Sequence, residues 1–572
     1  MENNRKSIFD VLQEIGKSAD GRKKKGRQHP LGNILMLVTL GYLMGIEHIR
    51  RMMFFFDKGT LFGDPDNHDS HDGHQKARVE AKARMGKTEV AQFTKDQARW
   101  QDKSEKEGKK NLELLRSYIP DIRIPCHSTV SRALKVADSK EIIVGLYELF
   151  ASMVPEGQKR HLAIDGKALR CALNRALENH SLYVLNVYDV AARLFITSYK
   201  VGDKKNEAST LIDDEIVNIL IGKPSIVTMD AAGTQQELIR LMVSLGSDYV
   251  LPVKGNQKGL QLLLSGFFLD QVYDRTEEVK SYVDLDGHDG YELPGKVITP
   301  TVINTKEEAN ENTSEDYVAL DGDESSNEDG QEEQSCQCVG EAEKKTGILA
   351  SIAQSLFGAD SVLLFHDQFY YPVGIEPSIS SKEKSLIWAV YDGMYIPMVK
   401  NGERYERNEY LVIQSPEVLN DVIFQERFPS VKSIILVNRF RMEQKFDKKR
   451  GKHWELSINS VPYISSLELT PEDACRYIKG QWRVESGHHT LDCQLNEDFS
   501  MTRSGDAPII LSTLRKAALN LENYIGAKWA TVNEKYEDCT HATYTLTVAM
   551  ERNLEMALHY LTMPLTMAVD AF

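Results

Sequence analysis

Three short stretches of this 572-residue chain place an acidic residue in a strongly apolar setting. Asp165 and Asp230 each follow a run of apolar residues that is typical of a buried strand, and Glu485 lies in a segment with helical spacing, on its predicted inner side. Burying an unpaired carboxylate costs several kcal/mol or forces it to take up a proton. Three such groups brought together would repel one another unless cations lay between them, and their oxygen atoms suit Mg²⁺ or Mn²⁺. The pattern therefore predicts a two-metal phosphoryl-transfer site.

The composition is ordinary for a globular protein, with 41% hydrophobic residues, and the length predicts about two to four domains. The seven cysteines form no zinc-ribbon or disulfide framework, so we expect reduced thiols in a cytoplasmic protein. The longest apolar run, Leu31 to Ile46, is too short to span a membrane and predicts a buried helix. No membrane partner is expected.

The net charge of −15 argues against nucleic acid as a partner only until its distribution is considered. Acidic residues are concentrated between Glu307 and Glu343, where too few apolar residues occur to form a core, and we predict a disordered acidic loop at about 305–345. The rest of the chain is close to neutral and has basic clusters, such as Arg22 to Arg27, that could bind DNA phosphates. The alternative, that each cluster is only solvated surface, stays open.

One N-terminal segment has the pattern of a DNA-reading helix. Ser128 is a candidate N-cap, and Val130 and Val136 fall on the side of the helix that would be buried. Ser131 and Arg132 then face outward, where small hydroxyls and a cation favour a recognition helix in the major groove of DNA. A plain capped helix would have the same pattern.

Strands and helices alternate from about residue 158 to residue 260. The pattern predicts three antiparallel strands, a helix, a strand, a helix and a strand, which is the order of a ribonuclease H-like sheet. The first of these strands is predicted to end at Asp165 and the fourth at Met229. The first and fourth strands are neighbours in that fold, so Asp165 and Asp230 are expected side by side at one edge of the sheet.

We therefore expect an α/β fold with a helical N-terminal DNA-binding domain, a ribonuclease H-like catalytic domain and a β-rich insertion. The strand-like segments of the insertion are Ser361 to Phe365, Leu386 to Tyr391, Tyr410 to Ile413 and Ser433 to Val437. The expected domains are 1–150, helical with a polar insertion at about 63–108; 158–260, the first part of the catalytic domain; 261–465, the insertion; and 466–572, the C-terminal helical completion of the catalytic domain.

A series of short motifs covers the two ends and the middle of the chain. In order, they are Arg27-Gln-His29-Pro-Leu31, Pro125-Cys-His-Ser-Thr129, Asp165-Gly-Lys167-Ala-Leu-Arg170, Lys205-Asn206-Glu207, Thr228-Met-Asp230-Ala-Ala-Gly-Thr-Gln235, Asp248-Tyr-Val-Leu-Pro-Val-Lys254-Gly-Asn256-Gln257, Tyr463-Ile-Ser-Ser466, Trp482-Arg-Val-Glu485, Leu491-Asp492, Asn496-Glu497-Asp498 and Leu514-Arg515. Together they resemble the motifs of DDE transposases of bacterial insertion sequences, specifically the group of H-repeat-associated proteins.

The resemblance implies a DNA strand transferase that cuts at the element ends and joins a 3′ hydroxyl to target DNA. Asp165, Asp230 and Glu485 would form its acidic triad and bind two Mg²⁺ or Mn²⁺ ions. Two such ions about 4 Å apart activate the attacking oxygen and stabilise the leaving one. Double-stranded DNA, both element ends and target, is the implied partner, and a homodimer on that DNA is expected.

Further residues within the matching motifs are expected to hold the scissile DNA strand through their charges and amide groups. A loose phosphoryl transition state needs positioning and charge more than covalent chemistry. These residues are Lys167, Arg170, Lys254 and Asn256.

The identity of the third acid stays open because the chain departs from the family pattern after Glu485. Leu491 and Asp492 arrive one residue earlier than the family's Leu-Asp pair, which would shift a helical face. Asp492 is therefore an alternative third acid, and Glu497 and Asp498 are further candidates.

Two other functions stay open as well. A DNA-binding regulator descended from a transposase would keep the N-terminal helices and dispense with the acids, whereas Asp165 and Asp230 both occupy their expected positions. A standalone metal-dependent nuclease with the same fold would cut DNA without joining it. The structural alternative, in which the acids merely cap strands, requires three motifs to coincide by chance.

Overall fold

The computed structural model divides the chain into two compact units. The first unit comprises Met1–Asp248 and Tyr477–Phe572, and the second comprises Tyr249–Arg476. Both contain helices and strands, which gives the chain the predicted α/β character. The residues described are 6–58, 106–153, 159–169, 182–200, 225–264, 267, 280–284, 369–372, 374–376, 386–391, 394–401, 403–414, 419–420, 422–447, 451–500, 502–532, 539–551 and 553–565.

Helices form the N-terminal part of the first unit, as the apolar spacing predicted. The Ser7 hydroxyl caps the first helix by accepting a hydrogen bond from the backbone N–H of Asp10, whose carboxylate accepts one from the N–H of Ser7. Residues 106–118 are also helical. The other helices here are α1 (Ile8–Ser18), α2 (Leu31–Leu43), α3 (Ile49–Lys58), α4 (His127–Val136) and α5 (Ser139–Ser152).

Two glycines allow α1 and α2 to touch. A Cβ atom added to Gly16 would lie 2.1 Å from the backbone nitrogen of Gly32, so a side chain at position 16 would force the helices apart. Every residue of α2 except Asn33 is buried, which confirms the predicted buried helix. Within the described ranges, no helix is both long and apolar enough to cross a membrane.

The sheet of the first unit has the strand order β3-β2-β1-β4. β1, β2 and β3 are antiparallel neighbours and β4 is parallel to β1, so the predicted adjacency of the first and fourth strands is confirmed. The predicted end of the first strand at Asp165 is wrong, because Gly166 to Leu169 continue to pair with β2. The elements are β1 (Arg160–Leu169), β2 (Leu182–Asp189), β3 (Leu194–Lys200), β4 (Ser225–Thr228) and the helix α6 (Gln236–Ser244).

The second unit is rich in strands. Its sheet has the order β5-β13-β12-β11-β10-β9-β8, with β6 also paired to β11 and β7 to β13. The predicted strands at 386–391, 410–413 and 433–437 are all found. The elements are β5 (Asp248–Pro252), β6 (Lys280–Asp284), β7 (Phe369–Pro372), β8 (Gly374–Glu376), β9 (Leu386–Tyr391), β10 (Met394–Asn401), β11 (Arg404–Ile413), α7 (Val422–Arg427), β12 (Ser433–Asp447) and β13 (Gly451–Ser465).

Four helices are described in the C-terminal part, and the residues of α8 from Tyr477 onward belong to the first unit. Ile509 of α9 and Ile143 of α5 form a buried apolar cluster with Leu169 of β1 and Val184 of β2, so helices cover one face of the sheet. These helices are α8 (Pro471–Cys493), α9 (Ala507–Val532), α10 (Cys539–Met550) and α11 (Leu554–Thr562).

Six features predicted from the sequence lie largely or wholly outside the described residues. They are the polar insertion at about 63–108, Arg170, the Lys205-Asn206-Glu207 motif, the helix predicted between the third and fourth strands, the acidic loop at about 305–345 and the segment Ser361 to Phe365.

Glu522 on α9 is a buried carboxyl group that we expect to influence stability. Burial raises its pKa from 4.5 to about 8, against a lowering effect of its hydrogen bond with Thr547. Between pH 4.5 and 8 the Glu522 carboxyl group therefore keeps its proton in the folded state and loses it in the unfolded state. The free energy of unfolding consequently falls as the pH rises from 4.5 through 8. We expect Glu522→Gln to raise that free energy by roughly 2 kcal/mol at pH 8, as measured by urea unfolding. A variant less stable than the wild type at this pH would contradict the expectation.

Candidate functional site

A row of polar side chains crosses the sheet of the first unit. Asp165 of β1 is paired with Asn186 of β2, and Asn186 is paired with Ser198 of β3. Residues paired across neighbouring strands point to the same face, so these three side chains lie side by side. Asn186 and Ser198 are buried, whereas the side chain of Asp165 is 20% exposed. The row therefore reaches solvent at Asp165.

Asp230 follows the strand that lies on the other side of β1. The parallel register of β1 and β4 pairs Ala163 with Thr228, where β4 ends. Continued two residues beyond the paired part, this register would place Asp165 level with Asp230, at the usual strand spacing of about 4.8 Å. Asp230 lies just beyond the end of β4 and is exposed. The Thr228 hydroxyl lies 3.0 Å from Nε2 of His161, as expected if this face of both strands points the same way.

α8 packs directly on this face of the sheet. A Cβ atom on Gly480 would lie 2.2 Å from Cε1 of His161, so the helix and β1 touch there. At the next position, the Gln481 amide donates to the carbonyl oxygen of Ile164 at 3.1 Å, and its Oε1 accepts from the hydroxyl of Thr228 at 2.7 Å. Gln481 therefore ties α8 to both strands next to the two aspartates.

Glu485 lies at the edge of the stripe of α8 that contacts the sheet. It follows Gln481 by four residues and precedes His488 by three, a spacing that places it next to both on the helix surface. Its side chain is exposed, whereas Val484 and His488 are buried. The prediction that the Glu485 carboxylate faces inward is therefore wrong, because Val484 and His488 occupy the inner positions and Glu485 is exposed to solvent.

His488 connects Asp165 to a directed chain of buried hydrogen bonds. The Lys516 ammonium, which can only donate, donates to Oγ of Ser198 at 2.9 Å, and Ser198 donates to Oδ1 of Asn186 at 2.8 Å. Nδ2 of Asn186 then donates to Nε2 of His488 at 2.8 Å, which leaves the imidazole hydrogen on Nδ1. That Nδ1 lies 3.3 Å from Oδ2 of Asp165. The chain therefore leaves the hydrogen of His488 on the ring nitrogen that lies near the Asp165 carboxylate.

A cluster of charged side chains lies beside this chain. Nζ of the buried Lys167 is 2.6 Å from Asp492 and 2.7 Å from Glu497. Burial lowers the pKa of Lys167, but Glu497 and Asp492 outweigh it and the net pKa is raised. Burial likewise raises the pKa of Glu497, but Lys516, Lys167 and Arg515 bring it down to about 2. The ammonium of Lys167 is therefore held between two carboxylates.

The remaining predicted site residues lie in separate places. Ser131 and Arg132 are exposed on α4 in the first unit, on the side expected from the sequence. Lys254 and Asn256 are exposed at a short 3₁₀ turn that follows β5 in the second unit.

α4 differs from its prediction at both ends. The helix begins at His127 with Cys126 in the N-cap position, so Ser128, expected to be the cap, lies inside the first turn. The Ser128 and Thr129 hydroxyls lower the pKa of the Cys126 thiol to about 7. Val136, expected to be buried, is 47% exposed because the helix ends there.

The donor chemistry of the predicted acids fits a hard divalent cation, since carboxylate oxygens are preferred ligands of Mg²⁺. Asp165 lies on β1, Asp230 follows the neighbouring strand β4, and Glu485 lies on α8, which packs on the same face of the sheet. Among the described residues, no group of three or more His, Cys, Asp and Glu side chains is placed where it could hold a metal ion. The three acids thus share one region of the fold without forming a preassembled ligand cluster.

The sequence analysis missed Asn186, Ser198, His488 and Lys516. All four are buried polar groups on strands or helices with apolar neighbours, where a polar group without a hydrogen bond would be costly. Lys516 gave the clearest signal, because it falls within the apolar run of α9 and lysine is almost never fully buried unless it is paired.

Comparison with known proteins identifies the family. Residues 156–521, more than half of the chain, match the model of the transposase DDE domain. The chain belongs to the DDE transposase family. The matched range of this DDE transposase includes Asp165, Asp230 and Glu485, and the resemblance inferred from its motifs is confirmed.

This DDE transposase also resembles curated proteins of Escherichia coli (strain K12). The putative protein YbfL is 28% identical over 159 residues, which are 28% of this chain and 41% of the relative. The H repeat-associated putative transposase YhhI has the same identity and coverage. The putative transposase YncI is 27% identical over 163 residues, which are 28% of this chain and 63% of the relative. The matches therefore span less than two thirds of the length of these relatives.

Proposed function

We propose that this chain cleaves insertion-sequence DNA at the element ends and joins the 3′ ends to target DNA in a metal-dependent reaction. The observation that carries the proposal is that Asp165 lies on β1 and that Asp230 follows β4, the parallel neighbour of β1. The strand order β3-β2-β1-β4 agrees with a ribonuclease H-like catalytic domain. The family match and the names of the relatives favour the same reaction.

Asp165, Asp230 and Glu485 are proposed to hold two Mg²⁺ or Mn²⁺ ions. When bound, such ions stabilise the charge on the attacking and leaving oxygens of an in-line displacement. The protein's part is to fix the carboxylates in place. His488, whose Nδ1 lies 3.3 Å from Oδ2 of Asp165, is proposed to position that carboxylate, and Gln481 anchors the turn of α8 that precedes Glu485.

Glu485 is our choice for the third acid. The competing carboxylates of Asp492 and Glu497 both lie within 2.7 Å of Nζ of Lys167. Withdrawing a partner from a buried cation costs about 3–5 kcal/mol, which would oppose their use as metal ligands. Glu485 is exposed and lies outside this cluster.

DNA contacts are proposed for two regions besides the acids. Arg170, Lys254 and Asn256 would hold the scissile strand. Lys167, which was also expected to do so, is buried and pairs with Asp492 and Glu497, so it would stabilise the protein instead of contacting DNA. Ser131 and Arg132 on α4 would contact duplex DNA from the N-terminal domain, 1–150. The proposal includes the domain limits 158–260, 261–465 and 466–572 and a homodimer on DNA.

The test is a cleavage and joining assay on duplexes made from the DNA that flanks the gene on each side, including any inverted repeats found there. We expect Mg²⁺-dependent release of 3′ hydroxyl ends and their covalent joining to a plasmid target. Cutting without joining would favour a standalone nuclease, and DNA binding with neither reaction would favour a regulator. Absence of binding and cleavage would refute the proposal.

We expect His488→Ala to weaken the response of cleavage to Mg²⁺. The substitution removes the ring nitrogen that lies near the Asp165 carboxylate, and loss of such a supporting group typically costs 10- to 100-fold in metal affinity or activity. The Mg²⁺ concentration at half-maximal cleavage should therefore rise about tenfold or more, whereas the Kd for DNA should not change.

His489→Ala is the matched control, because His489 is exposed at the next position of α8 and its ring contacts only Cys493 among the described side chains, at 3.5 Å. His488→Gln, which retains an N–H donor, should recover part of the Mg²⁺ response. If His488→Ala lowers stability and leaves the Mg²⁺ response as in the wild type, His488 does not position Asp165.

A further inference from the structure

A cationic cavity lies within the first unit. It has a volume of about 470 Å³ and is bounded by the start of α3, one side of α4 and the segment 500–515 that leads into α9. Among the described residues that line it, Glu47 is the single acidic side chain. The cationic side chains are Arg50, Arg132, Lys135, Arg503 and Arg515.

α4 contributes two cations, Arg132 and Lys135, that have no carboxylate partner among the described residues. His127, Ser131 and Lys135 are spaced by four residues and therefore lie on one side of the helix. Arg132 contacts the hydroxyl of Thr129 on its own helix at 3.3 Å. Across the described part of the chain, neither Arg132 nor Lys135 forms an ion pair with a carboxylate.

Arg515 lines the cavity and has two described contacts. It is buried, its guanidinium carbon lies 4.5 Å from the centre of the Tyr42 ring, and its Nε donates to the carbonyl oxygen of Leu495 at 3.0 Å. Its positive charge also lowers the pKa of the buried Glu497. A guanidinium has a fork of N–H donors that matches two oxygens of a phosphate.

We propose that this cavity binds a phosphate of the DNA backbone and thereby ties duplex DNA on α4 to the segment 500–515. The inference rests on the proposed DNA-binding function, and it adds Arg50, Lys135 and Arg503 to the residues proposed to contact DNA. Several cations facing one acid favour a ligand with negatively charged oxygens, and the hydroxyl of Ser131 offers a neutral donor beside them. A DNA phosphodiester meets these requirements without needing a base-specific contact.

The experiment uses the full-length Asp165→Asn protein as background, so that binding is measured without cleavage. Lys135→Ala, Arg503→Ala and the double variant are titrated against a labelled random-sequence duplex at several salt concentrations. We expect each substitution to weaken binding by about three- to tenfold and to lower the slope of log K against log salt by about 1. Lys140→Ala, at an exposed lysine of α5 that does not line the cavity, should change neither quantity.

Wild-type affinity and salt slope in the double variant would overturn the proposal. Calorimetry with inorganic phosphate distinguishes the source of the phosphate. If the phosphate ion binds the parent protein and not the double variant, and both proteins bind DNA equally well, the cavity binds a free anion and not DNA. Lys135 is exposed and unpaired among the described residues, so its variant should unfold at the parental urea midpoint. Binding is independent of cleavage, so a failure of the catalytic proposal would leave this result intact.

Discussion

Asp165→Asn and Asp230→Asn should each lower Mg²⁺-dependent cleavage of element-end DNA by at least about 10³-fold and leave the Kd for that DNA unchanged. The amide keeps the shape of the carboxylate and removes the charge that would bind the metal ion. Stabilisation by such an ion contributes several kcal/mol, and about 1.4 kcal/mol corresponds to a factor of ten in rate. Single-turnover cleavage rates measure the effect directly.

Asp121→Asn, the same chemical change at an exposed turn, is the control for this pair and should retain the wild-type rate. Glu485→Gln should resemble the two aspartate variants, whereas Asp492→Asn should act mainly on stability because Asp492 pairs with Lys167. Full activity of either Asp165→Asn or Asp230→Asn would contradict a shared metal site. A strong effect of Asp492→Asn on rate without loss of stability would reverse the choice of the third acid.

The adjacency of β1 and β4 could be predicted because it depends on local signals and on the order of elements. Asp165 and Asp230 each follow a short apolar run, and β1 and β4 are parallel neighbours. The hydrogen-bonded chain behind Asp165 could not be predicted in this way. It depends on the register that aligns Asn186 with Asp165 and Ser198 with Asn186, and a slip of one residue would turn these side chains to the other face.

The inner side of α8 was also beyond sequence reasoning. Helical spacing alone allows either Val484 or Glu485 to face the sheet, and close contacts elsewhere on the helix decide between them. A Cβ atom on Gly487 would lie 2.7 Å from Cζ of Phe195, so the helix approaches the sheet closely there. Such contacts form between elements distant in sequence, whereas periodicity reports only on neighbours within one element.

Glu497→Gln is expected to lower the free energy of unfolding by about 3–5 kcal/mol at neutral pH. Glu497 is buried and lies 2.7 Å from Lys167, and Lys516 and Arg515 also favour its charged form. The amide removes the negative charge that balances these cations. Burial lowers the pKa of Lys516 to about 8, although the charge of Glu497 raises it. Without that charge, the buried Lys516 would keep, among the described residues, only its hydrogen bonds to two serine hydroxyls. Urea unfolding followed by circular dichroism measures the loss.

Glu522→Gln is the matched control, because it makes the same chemical change at a buried glutamate with the opposite expected sign. Glu497, with a pKa of about 2, is ionised in the folded state at neutral pH, whereas Glu522, with a pKa of about 8, is protonated. The contribution of Glu497 is fully present above its unfolded pKa of 4.5 and is lost as the pH falls through 2, so wild type and Glu497→Gln should converge in acid. If wild type and Glu497→Gln were equally stable at neutral pH, the Glu497 carboxylate would not balance the buried cations. Lys516 would then not need Glu497 to stay charged at the start of the hydrogen-bonded series that leads towards Asp165.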